Sequence, residues 1–156
     1  MGGFPIAVDD PRRGDVRRLL AQHRSFASGV MPPDGVHVLD PDEDASDGNV
    51  TLFSVRVDGE LLGIGSLRQL NPVHVEVKSM HTAIAARRRG VGRALLEHLV
   101  TVAATRGVRR VSLETGAGEA FELARSLYAS AGFVPCGPFG EYTATADNVF
   151  MTRLLG

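Results

Sequence analysis

The segment Arg87-Arg88-Arg89-Gly90-Val91-Gly92-Arg93-Ala94 gathers four arginines around a pair of glycines. Two glycines let a backbone come close to a bulky anion. If a helix begins there, its unpaired N–H groups point at that anion and its dipole favours negative charge. The chemistry on offer is phosphate binding. The same residues also suit a plain glycine-containing helix start with solvated arginines, and a glycine pair alone does not choose between the two. Two other phosphate loops are excluded. A Walker A loop ends in Gly-Lys-Ser/Thr, and a dinucleotide fingerprint needs a small residue where Leu95 stands, early in a parallel sheet.

The surrounding pattern must place this turn between a strand and a helix. Phe4, Ile6 and Val8 alternate as a half-buried strand does, and Asp9-Asp10-Pro11 ends the run with turn chemistry. A helix is predicted over 15–26, with Val16, Leu19, Leu20 and His23 on one side. Residues 29–49, rich in Gly and Pro and carrying Asp40, Asp42, Glu43, Asp44 and Asp47, read as a long surface connection. Strands over 51–57 and 60–70 form a hairpin about Asp58-Gly59, and a third strand covers 73–82. A helix over 90–106 follows, with Val91, Leu95, Leu99 and Val102 as its apolar stripe and Gly107 as its stop. A strand over 109–115, a helix over 119–131 closed by Gly132, and strands over 133–136 and 148–154 complete the order. Hairpins first and strand–helix alternation later predict an α/β (α+β) chain of one mixed sheet covered by helices.

In this setting Arg-x-x-Gly-x-Gly resembles the coenzyme A pyrophosphate motif, (Gln/Arg)-x-x-Gly-x-(Gly/Ala), of the GCN5-related N-acetyltransferases, the GNAT superfamily. A second signature of that family, Tyr-x-x-x-Gly-Phe, is matched by Tyr128, Gly132 and Phe133, in the right order and behind the right strand and helix. The resemblance covers roughly residues 50–155. Glu-x-Lys-x-Met at 76–80, Leu-Glu-Thr-Gly at 113–116 and Pro-Phe-x-x-Tyr at 138–142 resemble a subgroup of the family. The resemblance implies a GNAT fold with a single, mostly antiparallel mixed sheet, and acetyl-CoA as co-substrate without a metal. It implies one domain over 1–156, with a core at 50–155 and a variable substrate-side loop at 29–49.

It also implies roles. Arg87, Arg88, Arg89, Gly90, Val91, Gly92, Arg93 and Ala94 would bind the pyrophosphate, while Met80, His81 and Thr82 would line the pantetheine. Glu76, eleven residues before Arg87, would be the general base. An ion pair with Lys78 is its alternative reading, since residues two apart share a strand face. Tyr128 would be the general acid toward sulfur, its ordinary pKa of about 10 suiting a leaving thiolate; a packed tyrosine at a helix end is the alternative. Lys78 is the only lysine beside 16 arginines. It is expected on one face with His74, Glu76 and Met80, tuning Glu76 or meeting a substrate carboxylate. Glu114 and Thr115 are expected to face the acceptor.

Composition bounds the rest. With 156 residues, 44% hydrophobic and 22% charged, the chain is long enough for a core without disulfides. A net charge of −1 argues against bulk nucleic-acid binding, and no run reaches the roughly 18 apolar residues of a membrane span. No secretory or myristoylation pattern is read near Met1, so a cytoplasmic location is expected. The single cysteine, Cys136, is expected to pack. The expected activity is transfer of an acetyl group to a primary amine of a small molecule or peptide, alone or as a homodimer, since family members often pair. A protein acetyltransferase and a non-catalytic acyl-CoA sensor are the alternatives.

Overall fold

The structure, a computed structural model, describes residues 3–30 and 40–156, apart from the side chain of Asp44. Its elements run β1 (Ile6–Asp9), α1 (Gly14–Val30), α2 (Pro41–Ser46), β2 (Val50–Val57), β3 (Glu60–Asn71), β4 (His74–Thr82), α3 (Val91–Thr105), β5 (Arg110–Gly116), α4 (Glu122–Ser130), β6 (Val134–Cys136) and β7 (Asn148–Leu154). The seven strands form one sheet in the order β1-β2-β3-β4-β5-β7-β6. Only β4 and β5 are parallel; every other pair is antiparallel. The expected mixed, mostly antiparallel sheet flanked by helices is therefore what the chain forms.

The main core lies between the sheet and α3. Val91, Leu95, Leu96, Leu99 and Ala103 are sealed from solvent against Phe53, Val55, Leu67, Val75, Val77, Val111 and Leu113. Emptying one such site, as in Leu95→Ala, costs about 2–5 kcal/mol. A side chain at Gly65 would come within 3.1 Å of Met80 and 3.2 Å of Leu99, so glycine there lets α3 lie close on β3. On the opposite face Val16, Leu19 and Leu20 of α1 pack on Leu52 and Ile64.

Several expectations need correction. Val8 is 68% exposed, because β1 is an edge strand that pairs only with β2 and leaves half its surface uncovered. Asp9 turns inward instead of merely ending the strand, accepting hydrogen bonds from Ser54 Oγ and Arg56 Nε at 2.5 and 2.9 Å. Arg56 also grips Asp15 at 2.6 Å, fixing the start of α1. Helix α1 runs past Gly29 to Val30, since buried Ala27 keeps its apolar face in contact. Within the expected connection at 29–49, residues 41–46 form a helix; residues 31–39 lie outside the described residues. Asp40 Oδ1 caps α2 by accepting from the N–H groups of Asp42 and Glu43, Pro41 starts it, and Asp42 ties it to Arg17 of α1 at 2.5 Å.

Helix α1 also crosses β4 through a pair of histidines whose Nδ1 atoms are 3.1 Å apart, His23 and His81. One ring must donate and the other accept, so at least one is neutral. Burial is the main cause that pushes both down from 6.5 to about 4, helped for His23 by His81 and Arg24 and for His81 by Arg87. A histidine depressed in the folded state adds stability above its ordinary pKa and loses it as pH falls toward the folded value. Native protein should therefore lose melting temperature steadily from pH 6.5 to pH 4. His23→Leu should show a shallower fall in differential scanning fluorimetry; identical slopes would contradict the shared burial.

Candidate active site

The site forms where β4 and β5 part. Their pairing runs from His74 opposite Arg110 to Val77 opposite Leu113 and then stops, although β4 continues to Thr82 and β5 to Gly116. Past Val77 the β5-facing edge of β4 has no paired strand. A bulge sharpens the separation: Ile64 pairs with His81 but Ser66 pairs with Lys78, so β4 holds an extra residue there. Ser79 carries a positive φ of 52°, rare for a side chain other than glycine. The parting strands open a cleft of about 560 Å³ that reaches both faces of the sheet.

The bulge also reverses the alternation of side chains beyond it. Glu76 lies opposite Arg68, Lys78 opposite Ser66, and His81 opposite Ile64, so these three share the α1 face. Met80 does not join them. It turns to the α3 face, where it packs on the core, which corrects the expectation that it lies beside Glu76.

Glu76 is 2% exposed yet lines the cleft. It is therefore not in a surface ion pair; among the described residues it closes none. Burial raises its pKa above the ordinary carboxylate value, opposed by Lys78, by a hydrogen bond from Tyr142 and by Arg68. The Tyr142 hydroxyl donates to Glu76 Oε2. Burial and the neighbouring Glu76 charge push the Tyr142 phenol well up, so it stays protonated as the donor. Tyr142 is delivered by the chain between β6 and β7, where Phe139 and Phe150 stack about it at ring distances of 5.3 and 5.9 Å. Sequence reasoning placed Tyr142 only within the 138–142 segment and gave it no chemistry; that segment was the available signal.

On the other face, Tyr128 of α4 is 9% exposed and lines the same cleft. Its ring packs on Phe133 at 6.1 Å, and burial pushes its phenol up to about 12. The hydroxyl makes no hydrogen bond to a described residue. A buried phenol without a partner among the described residues, lining a cleft, is a group that a ligand can complete.

The arginine-glycine turn follows β4 as expected. A short 3-10 turn at Ile84–Ala86 leads to Arg88 at φ 65° and Gly90 at φ 83°, and Gly90 caps α3 with no side-chain hydrogen bond. The first N–H groups of α3 are thus left for an anion. Met80, His81, Thr82, Arg87, Arg88, Gly90, Val91 and Gly92 line the cleft; Arg89, Arg93 and Ala94 do not. Arg93 instead ties α3 to α4 by donating to Ser130 Oγ at 2.7 Å. Of the residues expected to meet the acceptor, Lys78, Glu114 and Thr115 all line the cleft, and Glu114 accepts from Asn148 Nδ2 at 3.0 Å. Cys136 is half-buried in β6 with its thiol pKa raised by burial, outside the cleft. Among the described residues there is no cluster of three or more potential metal ligands, and no helix is long and apolar enough to cross a membrane.

The chain is similar to known proteins along most of its length. The model of the "Acetyltransferase (GNAT) family" matches residues 19–133. The chain is 38% identical over 150 residues to "Uncharacterized N-acetyltransferase YsnE" of Bacillus subtilis (strain 168), covering 96% of this chain and 99% of that one. It is also 38% identical over 152 residues to "Uncharacterized N-acetyltransferase YedL" of Escherichia coli (strain K12), covering 97% and 95%. Its fold superposes with TM-score 0.72 on a GNAT family acetyltransferase from Elizabethkingia anophelis with acetyl-CoA bound, at 16% identity over 99% of this chain and 100% of that one. With the splayed strands, the turn before α3 and a family match across most of its length, the chain belongs to the acetyltransferase (GNAT) family, and its general chemistry is acetyl transfer from acetyl-CoA.

Proposed function

We propose that the protein moves the acetyl group of acetyl-CoA directly to the primary amine of a small molecule or peptide, with Glu76 as base and Tyr128 as acid. The observation that carries this reading is one cleft lined on the α1 face by a buried carboxylate of raised pKa and on the α3 face by a buried phenol with no hydrogen-bond partner among the described residues. Acetyl-CoA supplies a thioester whose carbonyl an amine attacks. The chain does the rest. Arg87, Arg88 and the N–H groups at the start of α3 fit a pyrophosphate, and the unpaired β4 edge at Met80, His81 and Thr82 fits an amide-bearing arm.

The new N–C bond forms as the C–S bond breaks. An amine attacks only when neutral, and Glu76 takes the proton it sheds. Tyr142 holds Oε2, whereas Oε1 accepts no hydrogen bond from the described residues and is the atom that receives it. A pKa lifted by burial makes Glu76 a stronger base than an exposed carboxylate. Tyr128 supplies the proton for the departing sulfur. A sensor that only bound acyl-CoA would have no use for a buried carboxylate opposite that phenol. A single domain over 1–156 and a cytoplasmic setting suit this reading.

Glu76→Gln should lower kcat/KM by about 10²- to 10⁴-fold near neutral pH. That loss should shrink as pH rises toward the acceptor's own pKa, because more amine is then already neutral. Full activity of Glu76→Gln across pH would refute the base. The defect of Tyr128→Phe should shrink with acyl thioesters of more acidic thiols; a defect indifferent to the thiol would refute the acid.

The phosphate turn is tested by Gly92→Val. A Cβ at Gly92 makes ordinary contacts with Leu127 at 3.5 Å and Thr82 at 3.7 Å, and circular dichroism of the variant checks that the fold is intact. Acetyl-CoA should bind this variant about tenfold or more weakly in calorimetry, the scale of one lost charge-assisted contact. Unchanged affinity would move the pyrophosphate elsewhere.

A further inference from the structure

Two cations flank Glu76 without a use in the proton transfers just described. Lys78 follows it by two positions on β4, and Arg68 stands directly opposite it on β3. Lys78 is half-buried in the cleft wall, whereas Arg68 is exposed and does not line the cleft. Both lower the pKa of Glu76, so both are near it, yet neither closes an ion pair or donates a hydrogen bond from its side chain to a described residue. The backbone carbonyl of Lys78 accepts a hydrogen bond from Ser66 Oγ at 2.9 Å, which leaves the ammonium untouched. A half-buried ammonium that closes no ion pair or hydrogen bond among the described residues forgoes water on one side with only the more distant Glu76 charge in return. Such a group is completed by an anion.

Glu76, two residues before Lys78 on β4, and Glu114 on β5 line the same cleft, and their carboxylates would draw an ammonium before it gives up its proton. A cation and a carboxylate two residues apart on one strand face sit roughly 6.5–7 Å apart along the backbone. That spacing suits an amine and a carboxylate held a few bonds apart in one small molecule.

We infer that the acceptor is a free amino acid, its carboxylate held by Lys78 with Arg68 beside it and its amine turned to Glu76. The inference rests on the transfer reading and specifies its substrate class. Lys78 is a positioning group here: it touches the acceptor and takes no proton from it. A lysine suits the place because its compact ammonium reaches a single carboxylate inside a narrow wall, where a planar guanidinium needs more room. Phe26 and Phe121, in edge contact at 5.4 Å, line the same cleft, so acceptors with aromatic side chains are the natural probes.

The test compares matched pairs, phenylalanine with phenethylamine and leucine with isoamylamine, as kcat/KM per neutral amine. The amino acid of each pair should be preferred by about 10- to 100-fold, the scale of a charge-assisted hydrogen bond. In Lys78→Met that ratio should collapse toward one, through KM more than kcat, and Lys78→Arg should restore part of it. Phenylpropionate, which has the carboxylate and no amine, should compete with the acceptor in the native enzyme and lose most of that inhibition in Lys78→Met. A ratio near one in the native enzyme, or a ratio untouched by Lys78→Met, would overturn the inference while leaving amine transfer intact. An acetyl group found on Lys78 by intact mass after incubation with acetyl-CoA would also overturn it, by making that lysine an acceptor. Failure of every amine in both series, with acetyl-CoA still bound, would bring down the transfer reading and this inference together.

Discussion

The parting of β4 from β5 is the constraint on which the rest of the site depends. Two parallel strands that stayed paired to their ends would satisfy each other's backbone groups and close the sheet. Here pairing ends at Val77 and Leu113, and the bulge at Ser79 turns β4 aside. The sheet thereby acquires an opening that reaches both faces. One face carries α1, Glu76 and His81; the other carries α3, α4 and Tyr128. A base and an acid can then act from opposite sides on a group lying between them, without either crossing the core.

That opening also sets the electrostatics. Glu76 is placed on a strand inside the sheet and not on a loop, so it is buried by its neighbours, and burial dominates its pKa. A buried carboxylate normally destabilises a fold unless it is paired or hydrogen-bonded. The hydroxyl of Tyr142 partly meets that need, and the aromatic packing of Phe139 and Phe150 holds the hydroxyl in place. Lys78 and Arg68 act on the same group from farther away. The result is a carboxylate whose pKa is raised by burial and lowered again by these neighbours.

Much of this was legible in the residues. Periodicity gave the strand and helix order, and glycines with arginines gave the anion turn. The family resemblance pointed to Glu76 by its spacing from Arg87 and to Tyr128 by the second signature, and both residues line the cleft. The failures have physical causes. Helix α2 was read as loop because its acidic residues show no apolar stripe, although Asp40 and Pro41 are good start signals. The α1 helix overran Gly29 because burial of Ala27 outweighed a local propensity of about 1 kcal/mol. Met80 faced the wrong way because strict alternation contains no information about a bulge, and Ser79 is not a residue that announces a positive φ. Tyr142 and Glu76 are 66 residues apart in sequence, and only the folded loop brings them together.

The central claim is that Glu76 is a buried carboxylate whose pKa is raised by burial and held back by the hydrogen bond from Tyr142. Its carboxyl pKa can be followed directly by carbon NMR of glutamate-labelled protein and compared with the acid limb of kcat/KM, in native enzyme and in Tyr142→Phe. Native Glu76 should titrate above the ordinary carboxylate value, in step with the acid limb. Removing the Tyr142 donor should move both to still higher pH, because that hydrogen bond favours the charged form. A Glu76 that titrates at the ordinary value, or an acid limb that stays fixed when Tyr142 loses its hydroxyl, would contradict the account.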